Sequence, residues 1–476
     1  MLITLTAPAF AETWYIENGD ITVKASGTEG KNTVSQGNKK DVEDTNTIIT
    51  NQKTDTASSN TVTIDAGNDK VEVTLKDVNI DTSKQSKAAV SVTGSGNTTI
   101  KLDGDNALKS DIYRSGIYGS GSLTITGGEN DSLTAQGGSG ANGISSSGSL
   151  TISGGTVTAT GGNSTGIVGY GGSGIYSSSG VAISGGAVTA NGGDSKDGYG
   201  GNGIYSSSVA ISGGTVKAAG GNGKDGYGGN GISSTSTTIS GGTVTANGGS
   251  GNSSGGNGIR SNGVTISGGA VNAAGGDGGN GKDGGDGIYS SGIDLSGSLE
   301  LTAKAGSPNG KALSQNGKEL DLDTINKDKL GPGAKVTAIN ANGDSKQVSI
   351  PRPVEPEKPV IPEESSSSSD GGSSAPSAPA SPLPGLTVTD KSGAVISYTS
   401  TQSGNTLTVC VGRFTASFRI SLSTLRQLRA EGIETITFQT ILCSTTLSVD
   451  ELLAMGGEDA EAVLTYRSTD SSLTVG

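Results

Sequence analysis

Three short apolar phrases recur in the same order along the middle of the chain. Each cycle opens with a Gly-Ile pair, continues with a phrase such as Ile-Ser-Gly-Gly and closes with a phrase such as Val-Thr-Ala. Apolar and polar residues alternate within the phrases, as in Val209-Ala210-Ile211 and Val216-Lys217-Ala218, which is typical of strands with one buried face. The pattern predicts three short strands per repeat. The seven Gly-Ile pairs lie 27 to 31 residues apart and begin at Gly116, Gly143, Gly174, Gly203, Gly231, Gly258 and Gly287.

One such repeat cannot bury its apolar face alone, so the repeats must stack and line a common interior. Gly-Gly doublets follow two of the three strands and permit the sharp turns that a narrow coil needs. Parallel crossovers are nearly always right-handed. We therefore predict an all-β fold, a right-handed parallel β-helix with regular repeats over 116–305.

The flanking segments extend this prediction. Alternating stretches before the repeats place the whole β-helix at 12–307, although a separate small β cap is an alternative for its first part. A hairpin across Asn342-Gly343 indicates a terminal cap at 308–350. Proline and serine dominate 351–385, a predicted linker. Residues 386–476 alternate strand and helix patterns, with helix starts at Ser423 and Ser448, and predict a small α+β domain.

The amino-acid composition of the chain excludes several classes of function. The chain has 82 glycines, no histidine and a net charge of -13. Nucleic acid is excluded as a partner because phosphate binding requires clustered Lys and Arg, and the missing histidine excludes Ser-His-Asp and Cys-His catalysis. Cys410 and Cys443 lie in strand-like runs, where a disulfide and two free thiols are equally compatible with the sequence.

The first eleven residues end in Ala9-Phe10-Ala11, which fits the end of an export signal cleaved after Ala11, with a first buried strand as the alternative. No other stretch approaches the ~20 apolar residues of a membrane helix. We therefore expect an extracellular or cell-surface protein that does not insert into the membrane. The C-terminal region is a candidate for its attachment to the cell.

The run from Val71 to Asp111, which contains "VTLKDVNI", is followed by the Gly-Ile and "ISGGTVTATGG" phrases. Over residues 60–305 the chain resembles the carbohydrate-binding β-helix family of secreted and cell-surface proteins of clostridia and related gut bacteria. The resemblance implies an exported, non-catalytic β-helix that binds plant polysaccharides such as cellulose or pectin, with calcium among the ligands of the family. It assigns no particular binding residue, and the C-terminal domain resembles no known family.

The candidate sugar-binding residues are tyrosines, because pyranose rings pack against aromatic rings and phenol hydroxyls bind sugar hydroxyls. The residue after each Gly-Ile pair should point outward, and the alternative role for tyrosines there is to stack on their neighbours and cover the strand. The loops between repeats supply further tyrosines. The candidates are Tyr118, Tyr176, Tyr205 and Tyr289 on the strands and Tyr199 and Tyr227 in the loops.

Aspartates near these tyrosines are weak candidates for calcium, since the ion takes six to eight oxygen ligands and an adjacent lysine opposes it. Solvated turns explain the same residues. The candidates are Asp197, Asp225 and Asp283 in the loops, with Asp103 and Asp105 in an earlier turn.

Three function classes remain. The favoured class is a polysaccharide-binding protein, and the alternative is a structural stalk or adhesin that binds a protein. A lyase or hydrolase would need paired carboxylates, or a basic residue beside calcium-binding acids, and the strand patterns carry neither. We therefore expect no enzyme.

Overall fold

The computed structural model describes residues 12–28, 30–164, 169–351, 385–390, 393–396, 398–403, 405–411, 415–440, 444–456, 460–466 and 471–475. The predicted export signal at 1–11 lies outside these residues, as do Cys443 and nearly all of the predicted linker. The chain divides into two compact units, Met1–Glu357 and Lys358–Gly476.

The first unit is a right-handed β-solenoid of about 12 turns with ~28 residues per coil, as predicted. One 22-stranded sheet holds the first and second strands of the coils, and an 11-stranded sheet holds the third. In three late coils the first two strands fuse into one, as in Ile232–Ile239. The regular repeats contain β12 (Ile117–Gly119), β13 (Ser122–Thr126), β14 (Ser132–Ser139), β15 (Ile144–Ser146), β16 (Ser149–Ile152), β17 (Thr156–Gly162), β18 (Ile175–Ser177), β19 (Gly180–Ile183), β20 (Ala187–Asn191), β21 (Ile204–Ser206), β22 (Ser208–Ile211), β23 (Thr215–Ala219), β24 (Ile232–Ile239), β25 (Thr243–Asn247), β26 (Ile259–Ile266), β27 (Ala270–Ala274), β28 (Ile288–Leu295) and β29 (Glu300–Lys304).

The solenoid begins at the start of the described chain. Residues 13–15 pair in parallel with 48–50, and 21–25 with 62–65, so residues 12–115 form coils. The strands at 32–36 and 39–44 fold back antiparallel beside the strand at 21–25. These coils contain β1 (Thr13–Tyr15), β2 (Ile21–Ala25), β3 (Asn32–Gln36), β4 (Lys39–Asp44), β5 (Ile48–Thr50), β6 (Val62–Asp65), β7 (Lys70–Lys76), β8 (Asn79–Asp81), β9 (Val90–Thr93), β10 (Asn97–Asp103), β11 (Asp105–Lys109) and a 3-10 turn at Ile16–Asn18.

The solenoid also continues past residue 307, into the segment predicted as a cap. Strands β30 (Leu313–Gln315) and β32 (Lys335–Ile339) pair in parallel with β28 and β29 and complete one more coil. The hairpin across Asn342-Gly343 is present, because β33 (Ser345–Ser349) runs antiparallel to β32. The short strand β31 (Lys318–Glu319) and 3-10 turns at Leu322–Thr324 and Lys327–Lys329 complete this end.

The interior consists of ladders of residues at equivalent positions of successive coils, and most of these residues are apolar. The isoleucines of the seven Gly-Ile pairs are all 0% exposed, and the valines of the third strand lie in the same core. Alternation along the strands therefore predicts the buried face correctly.

Glycine serves two distinct purposes. In the doublet after the second strand the second glycine turns the chain, as at Gly214 with φ +75°. In the doublet after the third strand the glycines have no positive φ; an added Cβ at Gly221 would instead overlap the carbonyl oxygen of Gly193. The prediction that both doublets make sharp turns is thus wrong for the second.

These second doublets belong to long loops in which an outgoing and a returning arm pack together. The amide of Gly221 donates to Gly201 O, that of Gly229 to Gly221 O, and that of Gly249 to Gly229 O, each at 2.8 Å. In this series the returning arms, which contain Gly201 and Gly229, alternate with the outgoing arms, which contain Gly221 and Gly249. Because the backbones of these arms are in contact, there is no space between them for a side chain.

The described residues of the second unit form two four-stranded sheets and two helices. Its core packs Phe418 against Phe438 and Tyr466, at ring distances of 5.0 and 5.9 Å. Ser448 caps the helix Val449–Ala454 as predicted, whereas the cap of the helix Leu422–Ala430 is Ser421 rather than Ser423. The elements are β34 (Leu386–Thr389), β35 (Thr399–Ser403), β36 (Thr406–Cys410), β37 (Ala416–Ser421), α1 (Leu422–Ala430), β38 (Thr435–Gln439), β39 (Ser444–Ser448), α2 (Val449–Ala454), β40 (Glu461–Tyr466) and β41 (Ser471–Val475).

The Cys410 thiol is free and donates to Gln439 Oε1 at 3.3 Å, and burial raises its pKa. No described helix has the length and hydropathy needed to cross a bilayer.

Candidate functional site

One row of side chains follows the first strands of nine successive coils. Its members occupy the same register position, directly after the buried isoleucine or valine, and are Thr63, Ser91, Tyr118, Ser145, Tyr176, Tyr205, Ser233, Arg260 and Tyr289. We call these residues the strand row. Tyr118 and Tyr205 are 46% exposed, as their predicted orientation requires, while Ser145 is 7% exposed.

The strand-row tyrosines are spread unevenly. Tyr176 and Tyr205 are neighbours, with ring centroids 5.6 Å apart and planes tilted by 54°. Tyr118 and Tyr289 stand apart from them in the register, beside Ser145 and Arg260 respectively. The Arg260 guanidinium lies 5.7 Å from the centre of the Tyr289 ring. The row is therefore a mixed polar and aromatic surface rather than a continuous aromatic one.

The loop tips carry a second, more regular row of tyrosines, which we call the loop column. Tyr199 stacks on Tyr170 at 5.1 Å and on Tyr227 at 4.9 Å, with planes within 16° and 7° of parallel. Both faces of the Tyr199 ring are covered by its neighbours. The column consequently displays ring edges and hydroxyls, spaced like the coils, and leaves only its end faces for stacking.

Tyr170 is a member that sequence reasoning missed. Its loop lacks the Lys-Asp-Gly sequence that precedes Tyr199 and Tyr227. A different signal was available, because all three tyrosines occur as Gly-Tyr-Gly-Gly, beginning at Gly169, Gly198 and Gly226.

Members of the loop column and of the strand row together line a groove of about 700 Å³. Tyr170, Tyr199 and Tyr227 come from the loop column, and Tyr205, Arg260 and Tyr289 come from the strand row. Five of the six tyrosines predicted as ligand contacts therefore have a place at or beside one groove: four line it, and Tyr176 contacts Tyr205. Tyr118 lies elsewhere, beside a second cavity.

The floor of the groove is a ladder of amide side chains. Asn202 Oδ1 accepts a hydrogen bond from the main-chain N–H of Asn230 at 2.9 Å, and Asn230 Oδ1 accepts one from the main-chain N–H of Asn257 at 2.9 Å. Asn257 Oδ1 accepts one from the main-chain N–H of Asp286 at 2.8 Å. Each residue immediately precedes a Gly-Ile pair. The recurring Gly-Asn-Gly-Ile phrase is thus the sequence signal of this ladder, which sequence analysis did not interpret.

The end of the groove near the last coils is charged. Asp286 Oδ1 accepts the Lys311 amide at 2.7 Å, and Asp283 Oδ1 accepts from Asn309 Nδ2 at 3.0 Å. Asp283, Asp286 and Lys311 all line the groove, whereas Asp197 and Asp225 stay in the loop tips outside it. Of the three loop aspartates predicted for calcium, one reaches the groove.

The earlier calcium candidates lie at strand ends and contact side chains of neighbouring coils. Asp103 Oδ2 pairs with Lys76 Nζ at 2.7 Å, and Asp105 Oδ1 accepts the Ser132 hydroxyl at 2.7 Å. Among the described residues, no three or more His, Cys, Asp or Glu side chains are grouped to hold a metal ion. Calcium binding stays a prediction.

No family model, curated protein or solved structure matches the chain. The groove is therefore interpreted from its own geometry.

Proposed function

We propose that this chain is a non-catalytic polysaccharide-binding protein that acts outside the cell. The observation that carries the proposal is the groove between the strand row and the loop column. It is long and open, and its lining repeats with the coils, which suits a ligand that is itself a chain of repeating units. A compact small-molecule ligand has no use for such repetition.

The chemistry of the lining supports a sugar ligand. Tyrosine hydroxyls, asparagine amides and Arg260 supply donors and acceptors along the groove, as a polyhydroxylated chain requires. Exposed ring edges and the tilted faces of Tyr176 and Tyr205 add apolar contact for pyranose C–H groups. The coil spacing of ~4.8 Å repeats these contacts at regular intervals along the groove, as a polymer of repeating sugar units requires. Plant cell-wall glycans such as cellulose and pectin are therefore the first ligands to test.

The carboxylates of the groove favour binding over catalysis. Asp286 and Asp283 are each held by hydrogen bonds to groups of the following coil. A general acid and base would instead face the ligand as a pair.

The test is retention of the full chain on insoluble cellulose and on calcium-pectate gel, with and without EDTA. We expect depletion from the supernatant on at least one matrix. Exchanging Tyr199 and Tyr227 for Ala should weaken binding about tenfold, equivalent to ~1.4 kcal/mol. Tyr15→Ala is the matched control, because Tyr15 is 37% exposed and far from the groove. EDTA sensitivity would implicate the acidic loops.

Absence of retention on both matrices would contradict the proposal. The protein would then be better explained as a stalk or adhesin, and binding to proteins would be the next measurement. Release of reducing ends or unsaturated products would instead indicate an enzyme.

A further inference from the structure

A second cavity of about 620 Å³ spans the last early coils and the first two regular repeats. Thr63, Ser91, Tyr118 and Ser145 of the strand row line it. Ser86, Lys87, Tyr113 and Arg114 line it as well, and they belong to the turns that precede the first strands of their coils. The same positions of the coil therefore line this cavity and the groove.

The second cavity has the same kinds of ligand-binding groups as the groove. Tyr113 is 80% exposed and holds φ at +60°, a left-handed conformation that is uncommon for a non-glycine residue. Two ring-bearing residues, Tyr113 and Tyr118, thus flank a polar floor. Arg114 and Lys87 supply donors beside them.

The turn that carries Tyr113 is fixed by a network of hydrogen bonds. Asp111 accepts the amides of Ser86 at 2.6 Å and Ile112 at 2.7 Å, and Arg114 Nε donates to Ser86 O at 3.2 Å. Lys87 Nζ lies 3.1 Å from Asp20 Oδ2 at the opposite margin. The cavity is therefore formed before any ligand binds.

The surface between the two cavities is formed by the strand row on one side and by the loops of the coils on the other. Ser145 borders the second cavity, Tyr176 follows in register, and Tyr205 borders the groove. On the loop side an added Cβ at Gly140 would lie 3.6 Å from the Tyr113 ring and 3.4 Å from Tyr170 O. Gly140 therefore lies between the two tyrosines, and it has no side chain that would separate them.

We infer that the two cavities are the ends of a single groove, which holds one extended polysaccharide chain parallel to the solenoid axis. This inference rests on the proposed function. From Thr63 to Tyr289 the strand row makes eight steps between neighbouring coils. At ~4.8 Å per step the groove is about 38 Å long, which accommodates about eight sugar residues.

The test compares a short and a long probe on the full chain by isothermal titration calorimetry. The probes are cello-oligosaccharides and oligogalacturonates of about four and ten residues, lengths chosen below and above the span of the groove. We expect the long probe of the preferred series to bind one per chain and at least tenfold more tightly than the short one. Two long probes per chain, or equal affinity for both lengths, would overturn the inference.

Variants locate the added contacts. The double variant Tyr113→Asn, Arg114→Gln should remove most of the gain of the long probe, and Asn is chosen because it tolerates the left-handed backbone. Ile112→Ala is the matched control, since Ile112 is 56% exposed in the same turn and does not line the cavity. An unchanged affinity of the double variant for the long probe would also overturn the inference. Failure of every probe contradicts the proposed function as well, whereas 1:1 binding of the short probe without a length effect contradicts this inference alone.

Discussion

The coils before residue 110 and the regular repeats hold successive coils together in different ways. In the early coils, lysines pair with acids one coil away, as Lys101 does with Glu72 at 2.6 Å and Lys109 with Asp81 at 3.2 Å. Among the described residues from 110 to 293 there is no ion pair. That part of the solenoid relies instead on glycine arms and asparagine ladders.

The difference shows what the glycine-rich repeat achieves. Ion pairs hold coils whose turns are short and varied, and exposed pairs contribute little to stability. Glycine arms let the backbones of neighbouring loops touch, so long loops can extend from the solenoid with their hydrogen bonds satisfied. The tyrosines of the loop column sit at the tips of these arms. Glycine packing therefore builds one wall of the groove.

The largest effect should follow from adding a methyl group inside the glycine arms. In Gly229→Ala the new Cβ would overlap Gly201 O, so the arms must separate. We expect a loss of about 3 kcal/mol or more in the free energy of unfolding, measured by urea titration of the far-ultraviolet circular dichroism.

Gly263→Ala is the control for this change, because no atom lies within 4 Å of its added Cβ. It should be neutral or stabilising by up to about 1 kcal/mol. Equal effects of the two substitutions would show that the arms are not packed as described.

A smaller effect is expected for the asparagine ladder. Asn230→Ala leaves the Asn257 amide without its acceptor, at a cost of about 1–2 kcal/mol. Asn230→Asp should lose less, since Asp286 occupies the equivalent position and still accepts an amide. Thermal unfolding of both variants would check this ranking, and an equal loss for Asp and Ala would contradict it.

Acid should loosen the early coils more than the repeats. Burial opposes ionisation of Asp20, but the Thr61 amide and Lys87 outweigh it and hold the pKa of Asp20 below 3.8. Amide hydrogen bonds from Ile112 and Ser86 likewise lower the pKa of Asp111.

A carboxyl whose pKa is lower in the folded state stabilises the fold above its unfolded pKa, and this contribution is lost as pH falls through the folded value. Hydrogen-exchange protection factors, which correct for the intrinsic exchange rate at each pH, should therefore fall between pH 7 and pH 3 in residues 12–115 and change less around Gly221 and Asn230. Asp20→Asn should reduce this pH dependence near Thr61. A uniform fall in protection along the solenoid would contradict the comparison.

The smallest effect should come from the exposed ion pairs. A double-mutant cycle of Glu72→Gln and Lys101→Gln should give a coupling of about 0–1 kcal/mol. The coupling should largely disappear in 1 M salt. A larger, salt-independent value would show that these pairs contribute to stability as much as the glycine arms do.

The fold could be predicted because every repeat shows the same alternation of apolar and polar residues. Alternation around Ile204 and Val216 identifies the buried face, and recurrence shows that the faces must stack. The loop tyrosines Tyr199 and Tyr227 were found for the same reason. Tyr170 was missed because its loop lacks the Lys-Asp-Gly sequence that precedes the other two tyrosines.

The sequence by itself thus determined the solenoid, its core and the outward direction of the strand row, since these depend on local alternation repeated many times. Only the tertiary structure decided that Tyr227, Arg260 and the asparagine ladder line one groove, and that Tyr118 lines a second cavity. Those relations depend on the path of each loop. That path is set by contacts between glycine backbones of different coils. Such contacts involve no side chains, so the pattern of side chains in the sequence does not predict them.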